Sequence, residues 1–313
     1  MDAVGYCGRF APSPTGPLHF GSLIAALGSC LEARSRGGRW LLRMDDLDRP
    51  RCTAAAAERI LRVLDAYGFE WDGEVVWQGT HDAAYRAAFE RLRAEGMVFP
   101  CACTRRELSD SLLAPDGAAI YPGTCRDGLP PGRAGRAWRL RVGTARVDFA
   151  DAIQGRVDTD LACEAGDFVL LRADGLFAYQ LAVVVDDAEA GVTHVVRGAD
   201  LLASTARQIF VQQCLGLPMP TYAHLPAAVD AGGEKLSKQT LAAPLDPARA
   251  APTLAAALRF LGQPVPDDLD RAPLAAVWQW ARTHWSLDAV PRRRCVTYNP
   301  AQAGLEERID ARE

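Results

Sequence analysis

The 313-residue sequence predicts an α/β protein with an inserted α+β segment and a short helical C-terminal region. Three observations predict it. Strand-like and helix-like patterns alternate through the first hundred residues, as in a parallel sheet covered by helices. From Cys101 to about Asp187 the alternation gives way to a cysteine cluster and short strand-like runs, which read as an insertion. From Pro252 onward the pattern is mostly helical.

The elements follow in order. A strand is expected near Gly5 to Phe10, then a helix from about Leu18 to Arg36, with Leu23, Ile24, Leu27 and Leu31 at helical spacing. A strand at Arg39 to Met44 and a helix at about Ala54 to Tyr67 come next. Ala84, Ala88, Phe89 and Leu92 share one face of a helix from Asp82 to Glu95, and Gly96 suits its C-terminal cap. Within the insertion, strand-like runs occur at Trp138 to Val142, Val147 to Phe149 and Phe168 to Arg172. Asp174-Gly175 is a hairpin signal before the apolar run Leu176 to Val185. A helix at about Leu201 to Cys214 and a strand at about Thr221 to Leu225 return to the alternating pattern, and the Ala/Pro-rich stretch Ala242 to Thr253 reads as a domain boundary.

With 49% hydrophobic and 24% charged residues the chain can bury a sizeable core. The N-terminus carries no signal-peptide pattern, and the longest apolar run falls short of the roughly 20 residues that cross a membrane. A cytoplasmic protein without a membrane partner is expected. A net charge of −4 gives no global positive field, so DNA is not an expected partner and an RNA would need a local patch. Arg126, Arg133, Arg136, Arg139, Arg141 and Arg146 form one candidate patch and Arg292, Arg293 and Arg294 another; either reads equally well as a solvated face.

Of 35 basic residues only Lys235 and Lys238 are lysine, three apart in Glu234-Lys235-Leu236-Ser237-Lys238. In so arginine-biased a chain this pairing suggests a need for a compact, mobile ammonium, although an exposed glycine turn just before it would also accommodate two solvated lysines. Near the N-terminus, Arg9-Phe10-Ala11-Pro12-Ser13-Pro14-Thr15-Gly16-Pro17-Leu18-His19-Phe20-Gly21-Ser22 feeds a helix start. Free backbone N–H groups and the helix dipole make such a start an anion site, and His19 can donate to a phosphate oxygen.

Together these stretches resemble the two signature motifs of class I aminoacyl-tRNA synthetases. Leu42-Arg43-Met44-Asp45-Asp46-Leu47-Asp48 and Val196-Arg197-Gly198-Ala199-Asp200-Leu201 narrow the resemblance to the glutamate branch. After Lys238 the chain runs only to Glu313, too short a stretch for the large anticodon-binding region of a full glutamyl-tRNA synthetase. The chain is therefore similar to the shortened glutamyl-queuosine tRNA(Asp) synthetase family, which activates glutamate and attaches it to the queuosine base of tRNA(Asp). A truncated conventional glutamyl-tRNA synthetase charging the 3′ end of tRNA(Glu), and a non-catalytic synthetase-like RNA-binding module, are the alternatives.

The resemblance implies a Rossmann-type catalytic core in two halves, residues 1–100 and 191–245, split by an insertion at 101–190 and followed by a helical region at 246–313. It implies ATP and Mg²⁺ as reaction partners and a monomer. It gives His19 and Lys238 catalytic roles and puts ATP on His19, Gly21, Ser22, Lys235 and Lys238. Lys235 is the weaker assignment. It puts glutamate on Arg9, Phe10, Ala11, Pro12, Ser13, Asp45, Tyr179 and Arg197, the arginines taking carboxylates and Asp45 the ammonium. Asp45 departs from the family pattern, which has glutamate there, so the carboxylate is one methylene shorter.

Nine cysteines without a secretion signal do not suggest a disulfide framework. Cys101, Cys103 and Cys125 lie on segments rich in Pro and Gly, where three thiolates would favour tetrahedral zinc, although free buried cysteines fit the sequence as well. The resemblance adds Tyr121 as the fourth ligand and implies one structural Zn²⁺ per chain.

Overall fold

The computed structural model describes residues 5–108, 111–114, 117, 119–235 and 243–299. The first half has the expected β1 (Cys7–Phe10), α1 (Phe20–Ser35), β2 (Arg39–Met44) and α2 (Ala54–Ala66), then a two-residue strand that was not expected, β3 (Val76–Trp77), and the expected α3 (Asp82–Ala94). β1, β2 and β3 form one parallel sheet with β2 in the middle. Trp40, Leu42 and Met44, alternate residues of β2, make one fully buried face, and Arg43 on the opposite face is buried as well.

Next come β4 (Val98–Cys101), β5 (Ala137–Leu140), β6 (Arg146–Asp151), β7 (Gly155–Asp160), α4 (Leu161–Glu164), β8 (Phe168–Leu171) and α5 (Tyr179–Glu189). β4, β5 and β8 make an antiparallel sheet of their own. β6 does not stay inside the insertion: it pairs with β7 and also adds to the later strand β10 (Thr221–Leu225) through Asp151 and Tyr222. β10 lies parallel to β9 (His194–Gly198), joined to it by α6 (Leu202–Leu215). Thr193, just before β9, donates its N–H to the carbonyl of Cys7 at 2.9 Å. Its hydroxyl accepts from the Cys7 N–H at 2.9 Å, so the two parallel sheets meet edge to edge. The resulting order β3-β2-β1 followed by β9-β10 is that of a Rossmann-type sheet.

The hairpin expected at Asp174-Gly175 is reduced to a bridge between Leu171 and Phe177, and the apolar run after it is the helix α5. Leu181, Ala182, Val183 and Val184 are all buried, so α5 is covered on every side there and shows no helical periodicity in sequence. Gly96 does take the left-handed conformation expected of a C-terminal cap, at φ 69°.

The chain continues with β11 (Ala227–Val229), α7 (Ala250–Phe260), α8 (Leu274–His284) and β12 (Cys295–Thr297), which pairs with β11. α7 and α8 share one apolar core with α1, β2 and α2: Leu254, Leu258, Leu261, Val277 and Trp278 pack with Leu27, Leu31, Trp40 and Ile60. Burying each such aliphatic side chain contributes about 1.5–3 kcal/mol. Gly28 brings α1 onto the sheet, since a Cβ there would lie 2.6 Å from Leu225 Cδ1. A second core gathers α3, α5, α6 and the strands of the insertion. Among the described residues no helix is long and apolar enough to cross a membrane.

Candidate active site

A cleft of about 310 Å³ opens at the carboxyl ends of β1 and β9, where ligands bind in open α/β sheets. Its walls include Arg9, Phe10, Ala11, Pro12 and Ser13 from β1 and the loop after it. His19, Gly21 and Ser22 come from the start of α1, Tyr179 from the start of α5, Arg197 from β9, and Lys235 from the turn after β11. The topology thus gathers residues that lie more than two hundred positions apart.

His19 caps α1. Its Nδ1 accepts the Ser22 N–H at 3.4 Å, which in the neutral imidazole leaves the proton on Nε2. That nitrogen is then a donor at the positive end of α1, an arrangement suited to phosphate oxygens. Lys235 is bridged to Val229, and Pro244 to His19. Lys235 Nζ meets Asp200 Oδ2 at 2.6 Å, so its charge is partly balanced. Lys238 lies outside the described residues.

Both arginines are buried and held by the fold. Arg197, 5% exposed, donates Nε–H to His224 at 3.1 Å and Nη2–H to Thr205 and Gln208, each at 2.8 Å. Its Nη1 is buried without a hydrogen-bond partner among the described residues. An unmatched guanidinium nitrogen in a cleft wall calls for an acceptor from a ligand, and a carboxylate is the acceptor that suits it best. Arg9 presents Nε and Nη2 to Asp187 at 3.2 Å.

Asp45 is not among the residues lining the cleft. Its carboxylate receives the Arg43 Nε–H at 2.7 Å, and Arg43 Nη1 in turn reaches Asp187 at 2.6 Å. Asp186 completes the cluster, bonded by Gln78 at 2.6 Å, Tyr85 at 2.7 Å and His81 at 2.9 Å. Burial pushes the Asp45 carboxyl up to about 6 despite the opposing pull of Arg43. Burial also raises Asp187, but there Arg9 and Arg43 outweigh it and hold the carboxyl below its ordinary range. Sequence reasoning missed Asp186, Asp187 and His224. A pair of acids ending the apolar run of α5 and a histidine inside the apolar strand β10 were the available signals.

In the insertion, the Sγ atoms of Cys101, Cys103 and Cys125 lie within 4.8 Å of one another. Tyr121 Oη is 3.5 Å from Cys101 Sγ and 3.8 Å from Cys103 Sγ, and Cys103 and Cys125 are 3.7 Å apart. Zinc–sulfur bonds of about 2.3 Å at tetrahedral angles give ligand separations of roughly 3.5–3.8 Å, which these three distances match, and the three cysteines could hold a metal ion. The guanidinium of Arg139 sits 4.0 Å from the centre of the Tyr121 ring, a favourable cation for an anionic cluster.

Most arginines of the first candidate RNA patch are engaged. Arg126 pairs with Asp167, Arg133 with Glu107, and Arg146 with Asp158 and Asp160, while Arg139 is buried. Arg292, Arg293 and Arg294 are exposed, with no ion pair among the described residues, and the Arg294 carbonyl accepts the N–H of Ala227 in the cleft wall.

Residues 7–247 match the family described as tRNA synthetases class I (E and Q), catalytic domain. A glutamyl-Q tRNA(Asp) synthetase of Aromatoleum aromaticum is 64% identical over 93% of this chain and 92% of its own. One from Dechloromonas aromatica is 60% identical over 93% of this chain and 97% of its own. Among solved structures, the glutamate-tRNA synthetase of Elizabethkingia anophelis superposes with a TM-score of 0.78 at 23% identity, covering 96% of this chain and 69% of that one.

Proposed function

Because the chain belongs to the class I tRNA synthetases of the glutamate and glutamine branch, we infer that it activates L-glutamate with ATP and transfers the glutamyl group to the queuosine base of tRNA(Asp). The observation that carries this reading is the high identity, over nearly the whole chain, to relatives of that specificity. The cleft chemistry supports it independently: a helix start of the kind suited to phosphate shares the cleft with two buried arginines suited to carboxylates.

In the first step a carboxylate oxygen of glutamate attacks the α-phosphorus of ATP. The bond to the bridging oxygen breaks and pyrophosphate leaves, its charge balanced in part by the Mg²⁺ that ATP would bring. His19 Nε2–H and the positive end of α1 at Gly21 and Ser22 stabilise charge on the phosphate oxygens, with Lys238 as the mobile cation on the leaving group. Arg197 through Nη1, and Arg9, take the substrate carboxylates; Ser13 and Tyr179 offer hydroxyls along the backbone loop Phe10-Ala11-Pro12. Asp45 attracts the ammonium from behind Arg43. Counting side chains charged at neutral pH, two guanidiniums here face three carboxylates, a surplus that favours a cationic substrate group. In the second step a nucleophilic group of the queuosine base attacks the acyl carbon and AMP leaves.

We assign residues 1–100 and 191–245 to the catalytic core, 101–190 to an insertion and 246–313 to a C-terminal region. Cys101, Cys103, Tyr121 and Cys125 would hold one zinc ion. With four protein ligands no position stays open, so its chemistry is structural. ATP and tRNA as substrates make the cytoplasm the expected compartment, and a monomer suffices for this cleft.

The test is transfer of labelled glutamate to tRNA(Asp) with queuosine, tRNA(Asp) without it, and tRNA(Glu). Label confined to the first, and surviving periodate oxidation of the terminal ribose, is expected. Label on tRNA(Glu) would instead establish conventional charging of the 3′ end, and no label on any RNA would favour a binding module.

A further inference from the structure

Behind Arg197 lies a buried relay that the catalytic reading does not use. His224, fully buried on β10, stands between two partners: its Nδ1 is 2.6 Å from Asp151 Oδ2, and its Nε2 receives the Nε–H of Arg197 at 3.1 Å. Asp151, at the end of β6, is itself fixed. Its Oδ1 accepts the backbone N–H groups of Ile153 at 3.0 Å, Gln154 at 2.8 Å and His224 at 3.1 Å. From these contacts we propose that Asp151 and His224 are positioning residues for glutamate recognition: Asp151 selects the Nδ1–H tautomer of His224, whose bare Nε2 sets the rotation of Arg197 and aims Nη1 at a substrate carboxylate.

The proton count leaves little freedom. An ionised carboxylate only accepts, so His224 Nδ1 must carry the hydrogen in their shared bond. A guanidinium only donates, so Nε2 must be unprotonated to receive Arg197. Thr205 Oγ1 lies 3.1 Å from the same Nε2, accepts Arg197 Nη2–H and hands its own hydrogen to the Leu201 carbonyl at 3.2 Å. Every hydrogen in the group is then placed, and the one guanidinium nitrogen left over is Nη1. Burial holds the imidazole below its ordinary range although Asp151 pulls the other way, and Asp151 is held low by His224 and the backbone N–H groups, against burial. Both shifts agree with a neutral imidazole beside a carboxylate.

This inference rests on glutamate being the substrate. The experiment combines ¹⁵N-histidine NMR of the unsubstituted protein with KM values for glutamate and ATP in Asp151→Asn, His224→Leu and His224→Gln. The His224 signals should report hydrogen on Nδ1 and none on Nε2. Asp151→Asn can donate to Nδ1 and so drive the hydrogen to Nε2, against Arg197, much as a catalytic triad loses its working tautomer. That variant and His224→Leu should raise KM for glutamate by about 10–100-fold, the worth of one hydrogen bond to a charged group, with KM for ATP within about twofold. His224→Gln, which returns an acceptor oxygen, should recover part of the loss. Hydrogen on Nε2 in the unsubstituted protein, or parallel rises in both KM values, would overturn the relay. The NMR result decides even where a variant fails to fold. Absence of any glutamate activation by the unsubstituted protein would instead sink the functional reading, and the relay with it.

Discussion

Asp187 holds Arg9 edge-on, its carboxylate 3.2 Å from both Nε and Nη2, while its other side takes the Arg43 Nη1–H at 2.6 Å. A single buried acid on α5 thereby fixes an arginine of β1 that is 178 residues away in sequence. Substituting Asp187→Asn removes the carboxylate that bonds both buried guanidiniums and should lower unfolding stability by about 3–5 kcal/mol in denaturant titrations at neutral pH. Because the folded Asp187 carboxyl is depressed, its contribution exists above the unfolded value near 3.8 and is lost as pH falls through the folded value. The variant's deficit should shrink below about pH 4; a constant deficit across pH would locate the effect in packing.

His19→Ala removes the donor at the helix start and should slow ATP–pyrophosphate exchange by about 10²–10³, the usual worth of one preorganised donor. Lys238→Ala should cost at least as much. Lys235→Ala should cost less than about tenfold, since the Lys235 ammonium is already shared with Asp200. Equal losses in the two lysine variants would reverse the assignment.

Lengthening the acid by Asp45→Glu should lower KM for glutamate several-fold while kcat changes little. The Asp45 carboxyl is raised to about 6, so it takes up a proton as pH falls through that value and ceases to attract an ammonium. Asp45→Asn should therefore differ from the unsubstituted enzyme at pH 8 and converge with it below pH 6 when KM for glutamate is followed. Parallel profiles would show that Asp45 does not meet the substrate charge.

Metal analysis of the purified protein should give one zinc per chain, and Cys103→Ala should bring it below half. Stripping the zinc should lower the thermal midpoint while leaving glutamyl-adenylate formation largely intact, because the cysteines and Tyr121 form a cluster apart from the cleft. A protein that binds no zinc yet keeps its midpoint would mean that these thiols are simply buried.

Replacing Arg292, Arg293 and Arg294 with alanine should weaken RNA transfer, spare adenylate formation and flatten the salt dependence by up to about 0.7–0.9 per lost phosphate contact. The same change at Arg126 and Arg133 should instead reduce stability, since both are committed to ion pairs.

The parts of the molecule legible in sequence are those with local signals. The helix start at His19, the strand at Arg39 to Met44 and the capping glycine at Gly96 carry patterns within a few residues, and all three stand in the structure. α5 was hidden because a helix buried on every side has no polar face to mark its period. The attachment of β6 to β10 was hidden because it depends on a single pairing between residues 151 and 222. The acids behind Arg9 and the histidine behind Arg197 escaped for a related reason: each acts on a partner made adjacent only by the fold.

The end of the described chain has one further consequence. Tyr298 stacks on Phe20 at 3.7 Å, β12 lies along β11, and Trp285 Nε1 reaches Glu32 of α1 at 2.8 Å. The residue that opens α1 is thus covered by Tyr298. A nascent chain can assemble β1, α1 and β2 early, since domains tend to organise from the N-terminus during synthesis. The cleft still lacks this support until translation has passed residue 298, so a nascent chain should activate glutamate only after that point.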